Sequence, residues 1–356
     1  MPARSLSGRG ASLNQASMRF NLAQQEADGE WLDTRAMLDE VLPLRTTVSV
    51  ERPRTIITRN ASPDIPFDRS INPYRGCEHG CIYCYARPSH AFLDLSPGLD
   101  FESRLFAKPD AAALLREELR RKGYTPRPIA FGTNTDAYQP IERDWQIMRG
   151  CLQILSACAH PLTITTKSDR IIRDLDLLAP MAAKRLVAVA ISVTTLEPQL
   201  HRRLEPRAPR PEKRLAAIRA LTGAGVPVQV NVSPIIPAVT DAELEAILEA
   251  CADAGAQTAS YIPVRLPHEV APLFRAWLDT HFPDRAAKVM AQIQALRGGR
   301  DNDPAFHARM KGVGVWAQLL RSRFRLACRK LGLNETHPIL RVDLFRPPQG
   351  DQMQLF

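Results

Sequence analysis

Along the chain, short stretches of β character alternate with longer stretches of helical period. The candidate strands are Ser70–Tyr74, Ile129–Gly132, Leu162–Thr166, Val187–Val193, Val226–Val232 and Thr258–Val264. Between them lie segments with helix start and stop signals. Asp110 opens a run that ends before Gly123, and Glu142–Ala159 carries Trp145, Met148, Leu152 and Leu155 on one face. Asp169 precedes Ile171–Met181, Pro211 starts a run stopping near Gly223, and Asp241 heads Ala242–Ala254 with Gly255 behind it. Strands alternating with helices predict parallel pairing, because right-handed crossovers leave little other choice. The expected fold class is therefore α/β: a partial (β/α)6 barrel of the TIM type, spanning residues 52–268. Beyond Val264 the pattern becomes purely helical, with candidates at Pro272–Thr280, Arg285–Leu296 and Phe306–Leu331. We read residues 269–346 as a C-terminal helical extension and 347–356 as a loose tail. Residues 1–51 mix Gly, Ser, Asn, Gln and charge, which predicts a mobile N-terminal arm with one short helix around Trp31–Leu44.

Composition narrows the class. Of 356 residues, 45% are hydrophobic and 24% charged, an ordinary globular balance. No apolar run approaches the roughly 18 residues of a membrane span, and Met1–Gly10 has no signal-peptide core, so a cytoplasmic protein with no membrane partner is expected. In that compartment seven cysteines are thiols or metal ligands, not disulfides. Cys151, Cys158, Cys251 and Cys328 fall in apolar helical patterns and read as small buried hydrophobes. A formal charge of +9 makes nucleic acid a candidate partner. The arginines of the last helical segment, Arg321, Arg323, Arg325 and Arg329, read first as the solvated face of an amphipathic helix.

The remaining cysteines carry the chemistry. Cys77, Cys81 and Cys84 are separated by three and then two residues, with Tyr83 just before the last, in a loop that follows the first candidate strand. Thiolates this close can each take one iron corner of a single cubane and leave the fourth corner without a protein ligand. A closed zinc site needs four ligands. His79 is the only nearby candidate for the fourth, and its position inside the three-residue gap would demand a strained loop. The CxxxCxYC pattern resembles the signature of radical S-adenosylmethionine (SAM) enzymes. That resemblance implies a [4Fe–4S] cluster on Cys77, Cys81 and Cys84 whose open iron chelates SAM. It further implies reductive cleavage to a 5′-deoxyadenosyl radical, and a low-potential electron donor of flavodoxin or ferredoxin type.

SAM also needs polar contacts, expected at strand ends. The turn Phe131–Pro140 is dense in small and polar groups; there Asp136, with Thr135, stands where such enzymes commonly meet the methionine ammonium. The simpler alternative is an Asx turn capping the next helix. Lys167 ends the third strand, Ser192 the fourth, and Asn231 lies in the fifth. With Tyr83, these complete the expected cofactor contacts. Arg207 and Arg214 follow in a Pro-rich loop after Glu205-Pro206 and are read equally as anion ligands or surface residues. The order of these elements, with Lys213-Arg214-Leu215 downstream, is similar to the spore photoproduct lyase branch, over roughly Ser70 to Leu333. The resemblance implies SAM contacts at Asp136, Lys167 and Ser192, and DNA photoproduct repair as a candidate activity. The lyases hold a hydrogen-donating cysteine in the turn after strand two, whereas Phe131–Asp136 contains none. Tyr83, Tyr138 and Tyr261 are alternative relays among which the sequence does not choose. The rival reading is a nucleic-acid-binding protein with a structural iron–sulfur or zinc site.

Overall fold

The structure is a computed structural model that describes residues 8–15, 17–20 and 44–349. The expected helix at Trp31–Leu44 lies almost wholly outside the described residues, as does most of the tail. Ten strands are described: β1 (Thr47–Val50), β2 (Thr58–Arg59), β3 (Arg69–Ile71), β4 (Tyr74–Arg75), β5 (Arg104–Ala107), β6 (Ile129–Phe131), β7 (Leu162–Thr166), β8 (Val187–Ser192), β9 (Val228–Ile235) and β10 (Thr258–Pro263). Seven form one sheet in the order β10-β9-β8-β7-β6-β3-β2, parallel throughout except for the antiparallel β2. The six expected strands are thus the six parallel ones. The sheet does not close, and its two edges are finished differently. β2 covers β3, while the Asn334 side chain pairs with both the N–H (2.8 Å) and the C=O (3.1 Å) of Ala259, capping the β10 edge as a neighbouring strand would.

The sheet has two unlike faces. Ile71, Phe131, Ile164, Val189 and Val228 stand side by side across five strands, and none is more than 1% exposed. The helices cover this face: Leu115, Leu152, Leu178, Ile218 and Ile247 share its hydrophobic cluster. The neighbouring rows on the other face are Ser70, Ala130, Thr163 and Ala188, then Ser192, Asn231 and Ser260, all small or polar. Alternation along each strand sends one set to the core and leaves the other free to line a cavity. Cys151, Cys158, Cys251 and Cys328 are buried in the apolar cluster, as expected.

Several elements depart from expectation. The first strand is interrupted at Asn72-Pro73, because proline has no N–H for the ladder. Its second half, β4, joins β5 and β1 in a separate three-stranded sheet. Thr47–Val50, assigned to the arm, is therefore a strand. The helix expected over Glu142–Ala159 is broken at Gln146 (φ 48°) into Glu142–Trp145 and Ile147–Ala157. There the Glu142 carboxylate turns inward to Tyr74 Oη, Arg173 and the Met148 N–H. The segment Phe306–Leu331 becomes Ala308–Lys311 and Gly314–Lys330, parted at Gly312 (φ 70°) and Gly314 (φ 84°). The second of these helices buries Leu320, Phe324 and Ala327 in the same core as the sheet.

Below the sheet, His160 is buried between the Tyr124 hydroxyl (2.8 Å) and the Pro161 carbonyl (2.9 Å), with Phe345 against its ring edge. Burial pushes its pKa down to about 4 from the ordinary 6.5. The unfolded chain therefore takes up a proton that the folded one refuses, and stability falls as pH drops through that window and levels below it. The loss is about 3 kcal/mol between pH 6.5 and 4, and His160→Gln should remove most of that slope in urea unfolding measured across the range.

Candidate active site

The cysteine loop is held by backbone contacts before any side-chain chemistry is considered. Cys77 N–H donates to Phe101 O (2.9 Å), Ile82 N–H to Leu204 O (3.1 Å) and Arg207 N–H to His79 O (3.3 Å). Glu78 N–H donates to Gln139 Oε1 (2.9 Å), and Gln139 returns a bond to Gly76 O (3.1 Å). Gly80, at φ 69°, gives the loop a turn that a Cβ would obstruct, since it would lie 2.8 Å from Glu102 Oε2. Beneath the loop Arg87 and Glu102 form an ion pair wholly shielded from solvent. Arg87 also donates to the carbonyls of Gly80, Cys81, Pro97 and Gly98. Glu102 accepts from the N–H groups of Gly10 (2.9 Å) and Ala11 (2.8 Å). The described part of the N-terminal arm is thus fastened to the base of the cysteine loop.

Above it sits a second buried cluster. Glu205, fully shielded, accepts from the Tyr83 hydroxyl, from Thr194 Oγ1 (2.8 Å) and from Arg214. Arg214 in turn donates to Ser192 O (3.0 Å) and Pro209 O (2.8 Å). Burial would raise the Glu205 pKa, but Arg214 and then Lys167 outweigh it and hold the group below the usual carboxylate range. Lys167 lies 5.8 Å above the Tyr83 ring. Burial opposes its charge; Cys81 and Glu205 outweigh that effect and raise its pKa.

Burial pushes the Cys77 thiol well up, with Asp136, Cys81 and Cys84 adding to the shift, and pushes Cys81 up to about 12. Thiols so placed stay protonated unless a metal centre supplies the positive charge to hold them as thiolates. His79 turns to Asp136 (3.4 Å), and among the described residues no three His, Cys, Asp or Glu side chains converge as ligands of a single ion. A cubane, unlike a lone zinc, spreads its thiolates over separate irons. The donor set of three thiols on one loop, with Lys167 and Arg214 close to Cys81, fits such a cluster.

The expected cofactor contacts divide. Tyr83 and Lys167 meet in the Glu205 cluster, and Ser192 is linked to it through Arg214. Asp136 is engaged within the protein: Oδ1 accepts from Thr166 Oγ1 (2.6 Å) and, as an Asx turn, from Tyr138 N–H (2.9 Å), while Oδ2 accepts from Lys167 N–H (2.8 Å). Thr135 Oγ1 donates to Tyr74 O (3.1 Å), and Asn231 Oδ1 accepts from Gln229 and Ser260. Of the alternative relays, Tyr138 is sealed against Asp174 (3.0 Å) and Tyr261 packs on Phe324. Sequence reasoning missed the Arg87–Glu102 pair, whose partners carry no local motif, and Tyr85, whose only signal is that it follows Cys84.

A family model of the Radical SAM superfamily matches residues 71–251, which contain the three cysteines, Lys167 and the Glu205 cluster. The chain belongs to the Radical SAM superfamily. Members of the superfamily use a [4Fe–4S] cluster and SAM. Uncharacterised proteins of Mycobacterium tuberculosis and Mycobacterium bovis are 39% identical over 226 residues, 63% of this chain and 66% of their own length. A protein of Methanocaldococcus jannaschii, also uncharacterised, is 31% identical over 173 residues, covering 49% of this chain and 62% of that one. The chain thus spans just under two thirds of the curated relatives it matches. Among solved structures, a spore photoproduct lyase mutant shares the fold with a TM-score of 0.57 at 17% identity, over 80% of each chain. Another, with bound AdoMet and dinucleoside spore photoproduct, aligns with a TM-score of 0.56 at 18% identity over 80% of each chain. These matches agree with a radical SAM partial barrel that stays open. Among the described residues no helix is long and apolar enough to cross a membrane.

Removing one partner of a buried ion pair strands the other. Arg87→Ala should therefore lower the stability of this radical SAM fold by about 3–5 kcal/mol. Arg143→Ala, at an exposed pair, should leave it unchanged within error. Urea unfolding of the two variants beside the parent chain checks both values.

Proposed function

We propose that the chain is a radical SAM enzyme whose [4Fe–4S] cluster is held by Cys77, Cys81 and Cys84. The observation that carries this reading is three free thiols on one loop, Cys77 and Cys81 buried and Cys84 half-buried. When bound, the cluster would supply the electron that cleaves SAM to methionine and a 5′-deoxyadenosyl radical for hydrogen abstraction. The chain's own residues have simpler tasks. Lys167 presents a cation to the methionine carboxylate, and Tyr83, fixed by Glu205 and Thr194, is the wall beneath it. Ser192 offers its hydroxyl, and Asn231 beside it in register its amide nitrogen, along the open face of the sheet, Asn231 Oδ1 being taken by Gln229 and Ser260. Asp136 sets the Lys167 backbone through its bond to the N–H and acts through that position. The electron must come from outside, so a low-potential donor of flavodoxin or ferredoxin type is the implied partner. Repair of a DNA photoproduct is the narrower reading, supported by the fold likeness to spore photoproduct lyase and by the +9 charge. It lacks the cysteine donor in Phe131–Asp136, and the reading we adopt stays with hydrogen abstraction.

Anaerobic loading with iron and sulfide tests the proposal. Cys81→Ala should lose the bound iron and its visible absorbance. Lys167→Ala should keep the iron but bind SAM roughly 10- to 100-fold more weakly, as loss of a charge-assisted hydrogen bond implies. Iron retained by Cys81→Ala at the level of the parent would refute the ligand set, and unchanged SAM affinity in Lys167→Ala would refute the role of the lysine.

A further inference from the structure

We propose that Arg265, at the rim of the sheet beside Tyr85, receives an oxyanion of the substrate, a phosphate or carboxylate group. The inference rests on the enzyme reading above and specifies the chemical class that the site takes. Arg265 lies two residues beyond β10, at the carboxyl end of the last parallel strand. Its guanidinium stands 5.7 Å from the Tyr85 ring centre, and Tyr85 directly follows Cys84. The Tyr85 hydroxyl donates to Thr133 O in the turn after β6, so the cysteine loop and two strand ends meet at this point. In open α/β sheets and barrels this rim is where ligands bind.

Arg265 differs from the enclosed arginines around it in the partners it has. Arg87 is paired with Glu102, Arg214 with Glu205 and Arg69 with Asp68. Arg297, fully enclosed, donates to the carbonyls of Pro263, Val264, Ala308 and Arg309. Among the described residues Arg265 has no carboxylate or carbonyl acceptor of this kind. Its Nε is shut away from solvent with no hydrogen-bond partner, and Nη1 reaches only the Met310 sulfur at 3.5 Å, a weak acceptor. The Tyr85 ring supplies no oxygen acceptor, so Nε and Nη2 are left without one among the described residues. The surroundings are also short of negative charge. Arg309 lies close by, and the neighbouring carboxylate, Asp64, is already engaged by Arg309 and the His307 N–H. Burial and then Arg309 push the Arg265 pKa down, the direction that an incoming anion would reverse. A planar fork of donors, partly exposed and without an internal acceptor, matches the paired oxygens of phosphate or carboxylate.

The test uses the iron-loaded full chain with inorganic phosphate, acetate and a short single-stranded oligonucleotide as probes in calorimetric titrations. Phosphate or acetate should bind the parent protein and bind Arg265→Gln at least tenfold more weakly. Arg265→Lys, which keeps the charge without the fork, should lie between them, and Arg325→Gln, on the exposed face of the last helix, should match the parent. If oligonucleotide affinity falls together with phosphate affinity, the oxyanion comes from a nucleic-acid backbone; if phosphate or acetate alone loses affinity, it comes from a small molecule. Equal binding of both anions by the parent and Arg265→Gln, or no binding of either anion by the parent, overturns the proposal. Iron content and SAM affinity measured on the same samples keep this outcome separate from a failure of the enzyme reading. Should Arg265→Gln lose its iron, phenylglyoxal modification of Arg265 in the parent decides instead. Protection by phosphate or acetate supports the site, and full modification in their presence overturns it.

Discussion

A carboxylate without water around it sets the geometry of this molecule. Glu205 is charged in a fully enclosed position because Arg214, Lys167, Tyr83 and Thr194 surround it. Burying an ion is unfavourable unless charge and hydrogen bonds replace its hydration. Its partners come from separate places: Tyr83 from the cysteine loop, Thr194 from beyond β8, Arg214 from the following helix Pro211–Gly223 and Lys167 from the end of β7. Satisfying one buried charge therefore fixes four pieces of chain relative to one another. A site that must hold a cofactor gains this order before the cofactor arrives.

The cysteine loop is braced from the other side by Arg87 and Glu102, which also fasten Gly10 and Ala11. Two enclosed ion pairs, one below the loop and one above it, leave the thiols little freedom to scatter. The unlike faces of the sheet complete the arrangement. One face is apolar and sealed by helices, and the other carries small and polar side chains that leave room for a ligand. Because the sheet does not close, the open edge at β10 needs the Asn334 cap, and the last helix, Gly314–Lys330, is part of the fold's completion, sharing its core.

The repeating pattern makes the parallel strands legible because most are short β-rich runs set between helical periods, and Leu162–Thr166 matches to the residue. β1, β4 and β5 were not legible. They are two to four residues long, too short to show an alternation of their own. At the site, spacing and strand ends point to the cysteines, Tyr83 and Lys167, and the structure brings Tyr83 and Lys167 together beside Cys81. The same grounds point to Thr135, Asp136 and Asn231, and in the structure Thr135 Oγ1, both Asp136 carboxylate oxygens and Asn231 Oδ1 bond within the protein. Residue type alone cannot tell a group offered to a ligand from one already engaged. Glu205 appeared in the sequence only as a member of a Pro-rich loop, and its partnership with Tyr83 spans 122 positions that no local pattern connects.

The central claim is that three thiolates hold a cluster with one iron left free of protein. Anaerobic crystals of the iron-loaded chain, with an anomalous map at the iron edge, address it directly. Four irons beside the loop, three bonded to Cys77, Cys81 and Cys84 and the fourth met by no side chain, is the expected result. A single metal ion, or a fourth protein ligand closing the cluster, would contradict it.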